Sequence, residues 1–452
     1  MRSYGLSRWQ TTDVMKHDWP GAVPMIKAAN PLVKGVDFSA PICPFNTCHD
    51  TTGAVSISLS LTTTMKAILE PEKPQQAGSK DVFTVARRAA VGLIIAYVAV
   101  ILFIMLPAIQ TYTIYAHHID VWGFKKFEHP EHYGLAPGKT VNMKLTSSDN
   151  TTIGAWFIFS DHFYRTLPHP HLHTHVPGAT TSHDAIQATS SKHIPEAVGT
   201  TPTILFLHGN TGTRAHKLRT ILYSSLTARL GANILAIDYR GFGDSSGHPS
   251  VQGVGRDARA GFDYLVQQGA KPEDILIVGH SLGTAVAGLL ASELGREKVH
   301  FRGVVLMSPF SSIRTLLDQY YLLGCLPLFK PLAKVPMMPR VLSWSLKHGF
   351  DTLSLVPDIK SDVLIAHAED DWDIPHTHSS ALFNAFLDPS EPFAAPNTSV
   401  STTHISGYGS FSQARVANRN VALLKTERGG HDLGKVEGVQ DTIGRLFGLY
   451  SA

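Results

Sequence analysis

Short runs of apolar residues alternate with longer segments of helical periodicity through the second half of the chain. The runs are 203–207, 233–238, 275–278, 303–307, 362–366 and 421–425. The helical segments include 253–268, 284–294, 377–387 and 439–449. Apolar runs of strand length that alternate with helices are typical of a parallel sheet with helices on both faces and right-handed crossovers. The pattern predicts an α/β fold.

Ahead of these runs, residues 141–146 and 152–160 alternate between apolar and polar positions on either side of Ser147-Ser148-Asp149-Asn150. Such alternation around a short polar turn is typical of two antiparallel strands joined as a hairpin. We expect this hairpin to open the sheet, which then has eight strands and is mostly parallel. The domain that contains it is predicted to span 137–452.

Residues 89–109 form an apolar stretch without a single charged side chain. At about 1.5 Å per helical residue, this stretch crosses a hydrocarbon core of about 30 Å, and a buried core helix is usually shorter and has a polar side. Basic residues favour the N-terminal flank, with Lys73, Lys80, Arg87 and Arg88 against Lys125 and Lys126. The positive-inside rule therefore predicts one membrane-spanning helix whose N-terminus is cytoplasmic.

Three segments lack the regular pattern. Residues 1–80 show no sustained period and predict a poorly ordered tail without a cleaved signal peptide. Residues 161–200 are rich in Pro, Thr, Ser and His, and 388–418 are rich in Pro, Ser and Thr, so both are expected to be loops. Alternate histidines in the first of these can chelate a metal, but no carboxylate or cysteine lies nearby in sequence, which favours a solvated surface loop. They are His169, His171, His173 and His175.

Residues 311–360 interrupt the strand and helix alternation with an apolar, Pro-broken and helical segment. It follows the end of a predicted strand, on the side of the sheet where ligands bind in open α/β folds. Additional core is one interpretation. We favour a cap that covers the functional site.

Net charge and cysteine content exclude several classes of function. A formal net charge of +3 without a basic stripe argues against nucleic-acid binding. The cysteines, Cys43, Cys48 and Cys325, include no C-x-x-C pair, so neither a disulfide framework nor a zinc-cysteine site is expected.

Gly279-His280-Ser281-Leu282-Gly283 is the motif around which the chemistry is organised. It lies between an apolar run and a helical segment, where a G-x-S-x-G sequence forms a sharp turn that exposes the serine hydroxyl. Glycines flank the serine because a Cβ there would collide with the neighbouring strand and helix. The pattern predicts a nucleophilic Ser281.

A serine nucleophile needs a base and a carboxylate, which in α/β-hydrolases follow the serine in the order acid, then histidine. His431 follows the last predicted strand on a Gly-Gly turn and is the expected base, whereas His280 is not. Four acids compete in the loop after 362–366, namely Glu369, Asp370, Asp371 and Asp373. Asp371 fits best, because the Ala-x-x-Asp-x-x-Ile-Pro spacing sets this acid on the turn just past the strand, and Ile374-Pro375 then opens the next helix.

An oxyanion that forms on the substrate carbonyl needs two backbone N–H donors. Leu282 follows the nucleophile and supplies the first. The second is expected from the loop after His208-Gly209, from Asn210 or, preferably, Thr211. This chemistry requires neither a metal nor an organic cofactor.

Several motifs together resemble the alpha/beta-hydrolase domain-containing protein 12 family. They are HGNTGTRA (208–215), DYRGFGDS (238–245), GHSLGT (279–284), SPFSSI (308–313), HAEDDWDIP (367–375) and GHDLG (430–434), with one membrane segment upstream. The resemblance implies an α/β-hydrolase fold and a membrane-anchored lipase for monoacylglycerol or lysophosphatidylserine. It also implies Ser281, Asp371 and His431 as the triad. The 161–200 insert and residues 1–80 depart from the family pattern.

We therefore expect a serine hydrolase that cleaves acyl esters of single-chain lipids. A thioesterase that removes acyl groups from proteins would use the same triad, and a non-catalytic scaffold protein is the third hypothesis. The catalytic domain is expected in the lumen of the secretory pathway, in the endoplasmic reticulum. The sequons at Asn150 and Asn397 both follow the apolar stretch and agree with this side. The sequence does not predict the head group or the oligomeric state.

Overall fold

The computed structural model describes residues 79–119, 126–167, 182–319, 321–322, 326–388 and 399–450. These residues belong to one of the chain's two units, Ser79–Ala452. Several predictions lie outside the described residues. They are the tail 1–78, the alternate histidines 169–175, the sequon at Asn397 and all three cysteines.

The strands form one large sheet, with a short two-stranded hairpin apart from it. The strands are β1 (Thr140–Thr146), β2 (Thr152–Ile158), β3 (Thr203–Leu207), β4 (Asn233–Ile237), β5 (Ile275–His280), β6 (Gly303–Met307), β7 (Tyr321–Leu322), β8 (Leu326–Pro327), β9 (Val363–Ala368), β10 (Ser401–Ile405), β11 (Gly409–Val416) and β12 (Arg419–Thr426). The large sheet runs in the order β1-β2-β4-β3-β5-β6-β9-β12-β11-β10, and β7 pairs with β8. The neighbours from β4 to β12 are parallel, which confirms the predicted α/β fold.

The sheet has ten strands within the described residues, so the predicted count of eight is wrong. The two additional strands, β10 and β11, form an antiparallel hairpin that pairs with β12. They fall in the segment predicted to be a loop. Every residue of β10 is exposed, so this edge strand lacks the apolar alternation by which strands are recognised.

Helices pack on both faces of the sheet or precede it. They are α1 (Ser79–Met105), α2 (Pro107–Tyr115), α3 (Asp161–Thr166), α4 (His183–Ser191), α5 (Ile194–Thr200), α6 (Lys217–Arg229), α7 (Val251–Gln267), α8 (Leu282–Arg296), α9 (Ile313–Gln319), α10 (Lys330–Ala333), α11 (Met338–Ser345), α12 (Thr352–Leu355), α13 (Thr377–Leu387) and α14 (Glu437–Phe447).

The core divides into two apolar layers, because successive side chains of a strand point to opposite faces. In β3, Leu205 and Leu207 belong to one layer, whereas Ile204 and Phe206 belong to the other. All five residues of this strand are buried. The central strands are thus covered on both faces, which is why they appear in the sequence as continuous apolar runs.

The predicted apolar helix ends earlier than expected. The helix α1 stops at Met105, and α2 begins at Pro107. Leu106 between them is extended, with φ −62° and ψ 129°, because a residue before proline avoids helical geometry. Residues Asp81–Met105 are long and apolar enough to cross a bilayer. Most of their large apolar side chains are exposed.

The 161–200 segment contains three helices, α3, α4 and α5, so the prediction of a loop is wrong for its described part. Serine hydroxyls cap two of them. Ser160 accepts from the Phe163 N–H at the start of α3, and Ser182 accepts from the Ala185 N–H at the start of α4. The side-chain amide of Gln187 in α4 then donates to the Thr140 carbonyl of β1.

The 311–360 segment contains α9, the β7–β8 hairpin, α10, α11 and α12. It contacts the end of α1 through an apolar cluster in which Ile101 packs with Phe329, Leu332 and Leu342. The Tyr97 hydroxyl donates to the Leu328 carbonyl at 2.8 Å. This segment and α1 are therefore packed together.

Candidate active site

Ser281 occupies the turn between β5 and α8 in a strained backbone conformation. Its φ is 52° and its ψ is −121°, values that cost a non-glycine residue about 1–3 kcal/mol. A Cβ at Gly279 would collide with the backbone of Gly283, and one at Gly283 would collide with the Leu207 carbonyl. The glycines therefore allow β3, β5 and α8 to approach closely enough to hold the turn. This is the geometry expected of a nucleophile elbow.

His431 and Asp371 follow two neighbouring parallel strands, β12 and β9, at the same edge of the sheet. The His431 Nδ1 atom lies 2.9 Å from the Asp371 Oδ2 atom. The other Asp371 oxygen accepts the N–H groups of Asp373 at 2.9 Å and Ile374 at 3.1 Å. His367 also contacts Oδ2, at 3.1 Å from its Nε2 atom.

The competing acids have other positions. Glu369, Asp370 and Asp373 are exposed, whereas Asp371 is buried. The Asp370 carboxylate accepts the Gly430 N–H at 2.8 Å and so shapes the turn that carries His431. The geometry favours Asp371 as the partner of His431.

The surroundings shift the pKa values of Asp371 and His431 in opposite directions. Burial opposes ionisation of Asp371, but hydrogen bonds with His367 and His431 outweigh it and hold the pKa of Asp371 well below its usual range. Burial opposes protonation of His431, but the carboxylate of Asp371 outweighs it and raises the pKa of His431. A charged acid beside an imidazole that readily accepts a proton is what a general base requires.

Two side chains that the sequence did not indicate hold the backbone of His431. The Nε2 atom of His280 and the hydroxyl of Ser308 both donate to the His431 carbonyl, each at 2.9 Å. Burial, with the nearby charge of His431, lowers the pKa of His280 to about 4. His280 therefore stays neutral and acts as a positioning residue.

The hydrogen bonds of the loop after Gly209 do not fit the preference for Thr211 as the second oxyanion donor. The Thr211 N–H donates to the Tyr115 carbonyl at 3.1 Å, and the Gly212 N–H donates to the Ile119 carbonyl at 3.2 Å. Thr211 is therefore not available as a donor, which corrects the preference for it. Within the described chain, the N–H groups of Asn210 and Leu282 donate to no other group. Asn210 and Leu282 are the remaining candidate pair.

A half-buried arginine holds the carbonyls of this loop. The Arg219 guanidinium donates to the carbonyl oxygens of Gly209, Asn210, Thr211 and Thr213, at 2.7–3.3 Å. Because these carbonyls are hydrogen-bonded to Arg219, the peptide units of the loop are fixed in orientation. Arginine suits this role because its guanidinium group presents several donors in a rigid plane. No local sequence signal identifies it, because its partners lie up to ten positions away.

Two cavities meet at the serine. The larger, of about 700 Å³, is mainly apolar and includes Ser281 and His431. Its walls come mainly from α1, α2 and the 311–360 segment, with Phe103, Ile114, Leu317, Phe329 and Leu342 among them, and Phe310 also lines it. The smaller, of about 280 Å³, shares Ser281 and His431 but is lined also by His216, Arg219 and Lys435.

Metal ligation at this site would compete with the hydrogen bond between Asp371 and His431. Ligand atoms of Asp371, Asp373 and His431 lie within 4.8 Å of one another. The Asp371 and His431 atoms are already joined by a hydrogen bond, which an ion would have to break. The arrangement suits acid and base chemistry without a metal.

Comparison with known proteins extends these observations. Residues 204–433 match the alpha/beta hydrolase family. The chain is 31% identical over 308 residues to the lysophosphatidylserine lipase ABHD12 of Gallus gallus, covering 66% of this chain and 72% of that protein. It is 32% identical over 280 residues to that of Xenopus tropicalis, covering 62% and 66%. An esterase structure from Pyrococcus furiosus aligns with 74% of this chain and 97% of its own, at 17% identity and TM-score 0.46.

Proposed function

Since the chain belongs to the alpha/beta-hydrolase family and groups there with the ABHD12 proteins, we propose that it is a membrane-anchored serine hydrolase that cleaves acyl esters of single-chain lipids. The observation that carries the proposal is the strained Ser281, which lines a mainly apolar cavity together with His431, while His431 is hydrogen-bonded to Asp371.

The reaction follows from the roles of these groups. The Ser281 hydroxyl attacks the acyl carbonyl while the His431 imidazole takes its proton, and the N–H groups of Leu282 and Asn210 stabilise the oxyanion. His431 then gives the proton to the leaving alcohol of the lipid. Asp371 keeps the proton of His431 on Nδ1 and stabilises the imidazolium. Water, activated by His431, attacks the acyl-serine and releases the fatty acid.

The two cavities support an amphiphilic substrate with one acyl chain. The apolar cavity of about 700 Å³ lies within the usual range for one small ligand and accommodates an acyl tail. The smaller cavity has a mixed lining in which His216 and Lys435 lie among apolar side chains, and these two residues offer polar groups to a head group. The 311–360 segment acts as the cap over the acyl chain. A cavity of this volume suits one acyl chain better than the three chains of a triacylglycerol.

The anchor supports delivery of this substrate from a bilayer. The end of α1 and all of one side of α2 contribute to the acyl cavity, with Phe103 and Met105 from the first and Ile109 and Ile114 from the second. A lipid that leaves the membrane beside α1 is already next to the cavity. We place the N-terminus in the cytoplasm and the catalytic domain in the lumen of the endoplasmic reticulum.

Activity-based labelling and substrate comparison test the chemistry. Wild-type full-length protein should react with a fluorophosphonate probe, and Ser281→Ala should abolish both labelling and ester hydrolysis. Ser191→Ala, in α4, is the matched control and should behave as wild type. His431→Ala should lose about 10³-fold or more in rate. Labelling that persists in Ser281→Ala would place the nucleophile elsewhere.

Substrate comparison then separates the lipase from the thioesterase. Monoacylglycerols and lysophospholipids should be hydrolysed faster than triacylglycerols and faster than peptides with an S-acylated cysteine. A preference for the acylated peptides over every lipid ester would support the protein thioesterase instead. A fully inactive, unlabelled wild type would support the scaffold hypothesis.

Glycosylation tests the membrane orientation. Asn150 is exposed on the turn between β1 and β2, where an oligosaccharide can attach. Protein expressed in eukaryotic cells should gain gel mobility after glycosidase treatment, and Asn150→Gln combined with Asn397→Gln should remove this shift. A catalytic domain that protease digests in intact microsomes would lie in the cytoplasm.

A further inference from the structure

A cluster of metal-ligating side chains lies outside the hydrolase site. Ligand atoms of His129, Glu131 and His183 all fall within 4.8 Å of one another, and each residue is half-buried. His129 and Glu131 belong to the turn around the short 3₁₀ helix Pro130–Tyr133, whereas His183 is the first residue of α4. Two segments that are distant in sequence thus bring two imidazoles and a carboxylate together.

The hydrogen bonding and the interatomic distances in the cluster differ from those of an ordinary polar contact. The His183 Nε2 atom is shielded from solvent and makes no hydrogen bond within the described chain. It lies 3.5 Å from the Glu131 Oε2 atom, which is longer than a good hydrogen bond. Ligands bound at about 2.0–2.1 Å to a tetrahedral ion are separated by about 3.3–3.5 Å. The His129 and His183 rings are also close, with centroids 4.2 Å apart.

We propose that His129, Glu131 and His183 bind one zinc ion, which fastens the 182–200 segment to the chain that leads into β1. Two imidazole nitrogens and one carboxylate oxygen suit Zn²⁺, whereas Ca²⁺ and Mg²⁺ prefer oxygen ligands only. Water completes the tetrahedron. The site is independent of the proposed hydrolase chemistry, because none of its residues lines either cavity at Ser281.

The position of α4 gives the zinc site a structural role. β1 is at one edge of the large sheet. Gln187 of α4 pairs with that edge, because its side chain donates to the Thr140 carbonyl at 2.9 Å and accepts the Asn142 N–H at 3.0 Å. An ion at the start of α4 would hold this helix in place over the edge strand. Covered edges do not template pairing with other chains.

Zinc titration of the full-length protein tests the proposal. The protein is purified in detergent, stripped with a chelator and titrated with Zn²⁺ while the melting temperature is followed. Co²⁺ is used in parallel, because visible absorption reports tetrahedral coordination. All variants carry alanine at positions 169, 171, 173 and 175, so that the alternate histidines do not bind the added metal. Fluorophosphonate labelling without zinc verifies that each variant is folded.

We expect about one tightly bound zinc per chain, a rise of several °C in melting temperature and a visible Co²⁺ spectrum. His129→Ala combined with His183→Ala should lose all three signals, and Glu131→Gln should weaken zinc binding at least ten-fold. His162→Ala is the matched control, since this exposed histidine of α3 is outside the cluster, and it should keep them. The proposal is overturned if the double variant binds zinc as the parent does, or if His162→Ala loses as much affinity as the double variant.

Discussion

Substitution of Arg214 tests how much the buried ion pair in the loop beside Ser281 contributes to stability. Its side chain is fully buried, and its guanidinium donates to Asp238 at 2.5 Å, to Asp244 at 2.7 Å and to Asn142 at 2.9 Å. Asp238 is also fully buried. Burial opposes its ionisation, but the charge of Arg214 outweighs it and holds the pKa of Asp238 below its usual value. Arg214→Met keeps the bulk of the side chain and removes the charge.

The expected loss follows from the burial of the pair. Removing one partner of a buried ion pair leaves an uncompensated charge and costs about 3–5 kcal/mol. For the roughly 370 residues of Ser79–Ala452, the unfolding entropy is about 0.8 kcal/mol/K at about 2.1 cal/mol/K per residue. A loss of about 4 kcal/mol therefore lowers the melting temperature by about 5 °C.

Differential scanning fluorimetry of the full-length protein in detergent measures this shift. Arg229→Met is the control, because Arg229 pairs with Asp441 near the surface and such pairs contribute about 0–1 kcal/mol, or about 1 °C here. Arg214→Met combined with Asp238→Asn should recover part of the loss, since no buried charge is then left without its partner. Equal melting temperatures for Arg214→Met and Arg229→Met would refute the reasoning.

Three further predictions concern the site and its surroundings. The value of kcat/KM should fall as pH decreases through the raised pKa of His431, because a protonated imidazole cannot accept the Ser281 proton; a flat profile between about pH 8 and about pH 5 would contradict this. Ser308→Ala should lower kcat about five-fold with little change in KM, since it loses a hydrogen bond of about 1 kcal/mol to His431; an unchanged kcat would remove Ser308 from the site. Trp344, 79% exposed in α11, should contact the bilayer. Trp344→Glu should slow hydrolysis of vesicle lipids but not of a short soluble ester, and equal effects on both would argue against membrane contact.

The sequence predicted those parts of the fold that depend on local pattern. β3 and β6 have the predicted bounds, and both are buried along their whole length. Because such strands are apolar at every position, they stand out from their surroundings. The turn at Ser281 was predictable for a related reason, since only glycine tolerates the close approach at positions 279 and 283.

Other parts depend on contacts that a sequence pattern does not contain. The hairpin of β10 and β11 is polar and mostly exposed, so nothing in its composition separates it from a loop. The helix α4 is short, and its register is fixed by Gln187 against β1 rather than by an apolar stripe. Isolated helices of this length are marginal in water, so tertiary contact decides their existence.

The choice between the oxyanion candidates Asn210 and Thr211 also required tertiary information. Both follow His208-Gly209 and carry a backbone N–H, so the sequence could only place the donor in this loop. The Tyr115 carbonyl accepts the Thr211 N–H, and this contact joins residues that are almost a hundred positions apart. No periodicity or motif encodes such a pairing.

The same contact links the chain that follows the apolar helix α1 to the candidate site. The carbonyls of Tyr115, the last residue of α2, and of Ile119, shortly after it, fix the loop that carries Asn210. Within α2, the Gln110 side chain donates to the Ser345 carbonyl at 2.7 Å and accepts the Lys347 N–H at 2.8 Å. The segment after α1 thus supports the oxyanion loop and the cover of the acyl cavity together. Since an oxyanion hole acts through donors fixed before the reaction, the proposed mechanism makes this segment part of the catalytic domain rather than a tether to it.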